Sequence, residues 1–189
     1  MYVARILYPV EVLGPGKRVG IWFCGCPRRC KGCSNPELWE FQERYKTTVE
    51  RIVALITIIS ENHQIDGFTI TGGDPMLQPE DLQYLLSRLK DISLDILVYT
   101  GYKKEEIPIE YLENIAVLID GEYVEELNDN SLLRGSNNQI IHILNKNYER
   151  KYNTYFENSH NSIQNFTTSD GIISVGIHKP DFAKETLYE

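Results

Sequence analysis

The sequence is poor in cysteine: four in 189 residues, all between Cys24 and Cys33. Bonds among cysteines so close together would staple almost nothing, which excludes a disulfide framework. Long apolar runs are also missing. The most apolar stretch, 53–59, falls far short of the roughly 20 residues of a membrane-spanning helix. The opening MYVARILYPVEV has neither the apolar core nor the cleavage site of a signal peptide. A cytoplasmic protein is therefore expected, where thiols stay reduced and open to iron. Basic residues are outnumbered 19 to 27, and the net charge of -8 argues against a nucleic-acid surface. No Ser/His pair or paired carboxylates suggest acid–base catalysis, and His63, His160 and His178 lack metal-like spacing. His142 alternates with Ile141 and Ile143 and reads as an ordinary strand histidine.

What is present alternates between strand and helix patterns, the mark of an α/β domain with a mostly parallel sheet. Arg18 to Cys24 reads as a first buried strand, followed by a helix over 48–62 with Thr47 and Glu50 as a capping box. Gly67 to Thr71 is a second strand, and Pro79 to Ile92 a second helix with Leu82, Leu85, Leu86 and Leu89 on its buried side. Further strands are expected at Asp95 to Tyr99, Ile115 to Ile119 and Gln139 to Leu144. From Asn145 to Phe156 the chain is polar and tyrosine-rich, suiting a short helix or an irregular connection. Ile163 to Thr168 and Ile172 to Ile177 around Asp170-Gly171 then read as a hairpin. The unusual loops all follow strand C-termini, the edge at which α/β sheets bind ligands.

The first of these loops holds Cys26, Cys30 and Cys33. A four-iron cubane normally takes four thiolates. Three from one loop would leave one iron open to a small molecule. Cys24 lies two residues before Cys26, and extended residues two apart face the same way. A zinc knob or closed cluster using all four cysteines therefore stays open beside the three-ligand reading, as does Cys24 as a small core residue. The second loop is Gly72-Gly73-Asp74-Pro75, where absent side chains let a ligand reach the backbone and the carboxylate can hold an ammonium group. The same four residues also make a good tight turn. Arg28, Arg29 and Lys31 are expected to face solvent, where their charge would favour a reduced cluster or dock an acidic donor.

The Cys26-x3-Cys30-x2-Cys33 spacing resembles the signature of the radical S-adenosylmethionine (SAM) superfamily. Gly14-Pro15-Gly16, Thr71-Gly72-Gly73-Asp74-Pro75, Tyr99-Thr100-Gly101-Tyr102, Ile119-Asp120-Gly121 and Arg134 to Gln139 narrow the likeness to glycyl-radical-enzyme activases. Among these it is closest to the activators of anaerobic ribonucleotide reductase, over roughly residues 5 to 145. The resemblance implies a partial (βα) barrel of residues 1–145 with a C-terminal hairpin extension, 146–189, packed on the same domain. It implies a [4Fe-4S] cluster on Cys26, Cys30 and Cys33, and SAM held by Gly72, Gly73, Asp74, Pro75, Thr100, Asp120 and Arg134. The implied partners are a glycyl radical enzyme and a flavodoxin-like electron donor. Leu13 and Glu122 depart from the family pattern, and the tail runs past its usual end. A radical SAM enzyme acting on another peptide or a metabolite is the remaining alternative of that type.

Overall fold

The computed structural model describes residues 1–168 and 171–179. Its centre is a six-stranded sheet in the order β1 (Val3–Val10), β2 (Arg18–Phe23), β3 (Gly67–Gly72), β4 (Ile96–Tyr99), β5 (Val117–Asp120), β6 (Ile140–Ile143). β2 to β5 run parallel, while β1 and β6 are antiparallel edges. The β1 edge is absent from the sequence reading, which starts the sheet at Arg18. Most of its residues are only half-buried, so it carries no strong period-2 signal.

Helices α1 (Val49–Asn62) and α2 (Pro79–Leu89) cross between parallel strands and cover one face. Thr48, rather than Thr47, caps α1: its side chain accepts from the Arg51 amide, while the Thr47 amide bonds to the Met1 carbonyl. Leu82, Leu85, Leu86 and Leu89 recur at helical spacing and are fully buried against Ile21, Phe23, Ile70 and Val98. Each such side chain contributes about 1.5–3 kcal/mol of transfer free energy.

The central strands are buried on their second face too, and the cover there comes from the end of the chain. Helix α3 (Glu149–Asn158) sets Tyr152, Tyr155 and Phe156 against Leu97, Val117 and Ile119. Strands β7 (Ile163–Thr168) and β8 (Gly171–Gly176) pair antiparallel; Ser169 and Asp170 of the expected turn lie outside the described residues. Phe166, Ile173, Val175 and Ile177 pack with Val10, Leu13, Trp22 and Cys24.

A buried ionic network ties α3 to the sheet. The Arg18 guanidinium, fully buried, donates to Thr69 Oγ1 (2.7 Å), to the carbonyls of Pro15, Phe68 and Asp95, and to Asp95 Oδ1 (3.1 Å). From α3, Lys151 Nζ reaches Asp95 Oδ2 (2.5 Å) and the Tyr152 hydroxyl donates to Asp95 Oδ1 (2.7 Å). Burial alone would raise the Asp95 pKa, but the Arg18 charge and these donors outweigh it and hold the carboxyl below its ordinary range. Gly67 leaves room for this network, since a Cβ there would stand 2.6 Å from Arg18 Nη1.

Candidate functional site

A cavity of about 170 Å³ opens at the C-terminal ends of β2 to β5. Cys26, Cys30 and Cys33 line it beside Gly72, Gly73 and Asp74 of the loop after β3, Thr100 and Gly101 after β4, and Gly121 after β5. Parallel strands put these loops at one edge because each crossover returns the chain to the same starting side. Pro75 is buried in the short turn that follows Asp74 and does not line the cavity. Asp120 accepts from the Lys104 amide (2.6 Å) and lies 3.0 Å from His142 Nε2, behind the wall. Arg134 also stands off the cavity, donating to Ser131 Oγ and the Gln139 carbonyl.

The cysteine loop and the glycine loop are one hydrogen-bonded unit. The Gly73 amide donates to the Phe23 carbonyl (2.8 Å) and the Asp74 amide to the Gly25 carbonyl (2.7 Å). The Gly25 and Cys26 amides in turn donate to the Leu38 and Trp39 carbonyls. Gly72, at φ +108°, adopts a conformation that disfavours side chains. Cys24 points elsewhere: it is fully buried among Val10, Leu13, Trp22, Leu38 and Val175, and burial pushes its thiol pKa up to about 11. Cys30 is likewise pushed to about 11, by burial first and then by Glu122, whose Oε1 accepts from its Sγ at 3.7 Å. Burial also raises Cys33. Metal binding needs thiolates, so loading such a site releases protons.

Arg28 does not face solvent as its sequence suggests. Its guanidinium lies 4.1 Å over the Tyr102 ring and donates to Asp74 Oδ2 (2.7 Å). Gly101 makes this possible, because a Cβ there would meet Arg28 Cδ at 2.7 Å. Asp74 also accepts from Thr100 Oγ1 (2.8 Å) and from the amides of Gly101 and Met76. Burial nevertheless holds its carboxyl above the ordinary range, so the four donors only partly offset the desolvation. With Arg28 in place the carboxylate spends its lone pairs inside the protein. Arg29 pairs with Glu40, and Lys31 with Glu125 and Glu126, at the exposed rim.

Sequence reasoning set Gln139 in a motif and weighed the tail as a cover for the sheet or the site, without naming residues of either as part of the wall. Gln139 joins Gly121 to the preceding loop, donating to the Gly121 carbonyl (2.8 Å) and accepting from the Gly135 amide (2.8 Å). Ser174 and Gly176 of β8, and Ile177 and His178 just after it, also line the cavity. No local signal in their sequence announces that placement.

Comparison with known proteins shows the family. Residues 12–142 match the family described as 4Fe-4S single cluster domain. The anaerobic ribonucleoside-triphosphate reductase-activating protein of Salmonella typhimurium is 34% identical over 148 residues, covering 72% of this chain and 96% of its own. The protein of the same name from Enterobacteria phage T4 is 37% identical over 141 residues, 71% of this chain and 90% of its own. The pyruvate formate-lyase-activating enzyme of Clostridium pasteurianum is 29% identical over 60% of this chain and 49% of its own. A solved structure, of QueE from Escherichia coli, is similar at a TM-score of 0.43 and 18% identity over 61% of this chain and 68% of that one, too distant to carry weight. No helix among the described residues is long and apolar enough to cross a membrane. The chain belongs to the 4Fe-4S single-cluster family and, within it, to the radical SAM activases of glycyl-radical enzymes.

Proposed function

We infer that this chain uses a [4Fe-4S] cluster on Cys26, Cys30 and Cys33 to cleave SAM and so activates an anaerobic ribonucleoside-triphosphate reductase. The observation that carries the reading is the meeting of three cysteines with a bare glycine wall in one cavity, from which Cys24 is turned away. The donor set fits the group: three thiols leave one iron of a cubane for a chelating ligand. When bound on Cys26, Cys30 and Cys33, such a cluster would supply the one-electron reduction that SAM cleavage and hydrogen abstraction from a partner glycine require, with a reduced flavodoxin-like donor as the electron source.

The chain's own residues bind, orient and exclude water, since the bound groups carry the hard chemistry. Gly72 and Gly73 present backbone in place of side chains, which suits the amino-acid end of SAM. Thr100 fixes Asp74, and Arg28 neutralises it, so the glycine loop keeps one shape when the ligand enters. Asp120 and Arg134 act one layer back, by holding the loops after β4 and β5. Pro75 starts the turn that closes the glycine loop. The open β1 and β6 edges suit a partial barrel that admits a peptide segment from the side.

Anaerobic reconstitution with iron and sulfide tests the reading. A brown protein with about four irons, whose reduced spectrum shifts on adding SAM and which raises a glycyl-radical signal in the reductase, is the expected result. A colourless protein binding a single zinc would overturn it.

A further inference from the structure

Trp39 brings to the cysteine loop a donor that the fold leaves unused. Its indole Nε1 is buried and completes no hydrogen bond with the described residues, although a buried N–H without an acceptor is rare and calls for a reason. We propose that Trp39 is a positioning residue of the cluster site, whose indole N–H donates to the Cys33 thiolate once iron is bound and makes the cluster easier to reduce. This rests on the cluster reading above.

Placement supports it. Residues 35–39 form one turn around the short helix Pro36–Leu38. Its start donates to one ligand: the Asn35 amide reaches Cys33 Sγ at 3.4 Å. Its end holds another, since the Trp39 carbonyl accepts from the Cys26 amide at 2.8 Å. The Trp39 amide closes the turn on the Pro36 carbonyl (3.3 Å), so the indole leaves a fixed backbone. The Arg29 guanidinium, from between Cys26 and Cys30, stands 5.8 Å from the centre of the ring. Burial raises the Cys33 pKa overall, while the Asn35 amide and then the Trp39 indole pull it down, which sets the indole beside that sulfur. A neutral thiol is a weak acceptor, and toward it the approach falls short of a full hydrogen bond.

The chemistry changes when the thiol ionises. A thiolate on iron carries the charge that a thiol lacks, and hydrogen bonds to an ionised partner are roughly twice as strong as neutral ones. Reduction places further negative charge on the sulfurs, so a donor at Cys33 favours the reduced state. The acceptor belongs to the chain itself. The donor therefore needs no access to solvent, and its burial keeps water from competing. Trp39 does not line the cavity, whereas Cys33 and Asn35 do, so the indole acts on the sulfur without taking the space proposed for SAM.

The test uses the full-length protein, reconstituted anaerobically with iron and sulfide, and two variants. Trp39→Phe deletes the N–H and part of the ring. Replacing Trp39 by benzothienylalanine keeps the fused-ring shape and puts sulfur where the N–H was. A redox titration without SAM, followed by the electron-spin signal of the reduced cluster, reads the potential. Both variants should hold about four irons. Their reduction equilibrium should shift against the reduced state by on the order of tenfold, about 59 mV for one electron. An unchanged potential in the benzothienylalanine protein would overturn the proposal even where the phenylalanine protein shifts, because shape alone would then account for Trp39. A colourless wild type holding zinc sinks the cluster reading itself; a normal wild-type cluster with unchanged variant potentials sinks only the role of Trp39.

Discussion

Gly73→Ala separates two roles that the glycine loop could play. From sequence alone, Gly73 is bare so that a ligand can approach. In the structure it is bare first for the chain itself: an ideal Cβ at 73 would stand 2.5 Å from the Gly25 carbonyl oxygen and 2.9 Å from the Gly25 nitrogen and carbon. All three are backbone atoms one residue before Cys26, so nothing flexible can swing aside. Relief requires moving the two loops apart by roughly 1 Å to reach ordinary contact. That displacement strains the Asp74 amide bond to the Gly25 carbonyl and the Gly73 amide bond to the Phe23 carbonyl.

Overpacking costs about 1–3 kcal/mol, and one buried hydrogen bond left unmade adds about 1–3 kcal/mol. A total of about 2–6 kcal/mol lowers Tm by roughly 4–24 °C in a chain of this size. Because the strain lands on the entry to the cysteine loop, iron retention after reconstitution should fall along with Tm. Gly101→Ala is the control. Its Cβ meets only the side chain of Arg28, which can rotate away, so its loss should not exceed the roughly 2 kcal/mol of the Arg28–Asp74 pair and its iron retention should hold. Thermal melts of the metal-free proteins and iron assays of the reconstituted ones make the comparison. A Gly73→Ala protein that melts within about 1 °C of wild type and keeps its iron would refute the reasoning.

Asp95→Asn should destabilise the fold by about 3–5 kcal/mol, because Arg18 is left buried without its charge partner. Since the folded Asp95 pKa is depressed, its contribution is present above the unfolded value near 4 and is lost as pH falls through the lower folded value; urea melts from pH 7 down to pH 2 should show a shallower acid loss in the variant. Arg28→Ala should cost about 2 kcal/mol by leaving the Asp74 carboxylate unpaired and should weaken SAM binding, with Arg28→Lys recovering part of it; equal SAM affinity by calorimetry in all three proteins would remove Arg28 from the site. Cys26→Ala, Cys30→Ala and Cys33→Ala should each lose the reconstituted iron, whereas Cys24→Ala should keep it at a cost of about 1 kcal/mol for a small core void; iron loss in the Cys24 variant would refute the three-ligand assignment.

The parts of this architecture that were legible in sequence are those encoded locally. Buried parallel strands read as short apolar runs, and Leu82, Leu85, Leu86 and Leu89 announce α2 by their spacing. The cysteine and glycine loops stand out because bare glycines and clustered thiols are rare and have few structural uses. What sequence did not carry is pairing at a distance. Arg28 sits between two candidate ligands in a polar loop and reads as a solvated charge. Only the fold brings Asp74, 46 residues on, to within 2.7 Å of it. Arg18 reads only as the first residue of a buried strand for the same reason, since its partners Thr69, Asp95 and, through Asp95, Tyr152 come from separate parts of the chain.

The C-terminal segment makes the same point for function. Nothing about Ser174 or His178 in isolation suggests a site. Their position follows from the burial of Val175 and the tethers at Gln164, Asn161 and Asn128. The shared activase motifs and the β7–β8 pair therefore meet at one cavity. An extension that only stabilised the fold could have stopped at α3, whose Lys151 and Tyr152 already complete the buried network. Continuing to the cavity, the segment adds Ser174, Gly176, Ile177 and His178 to its lining.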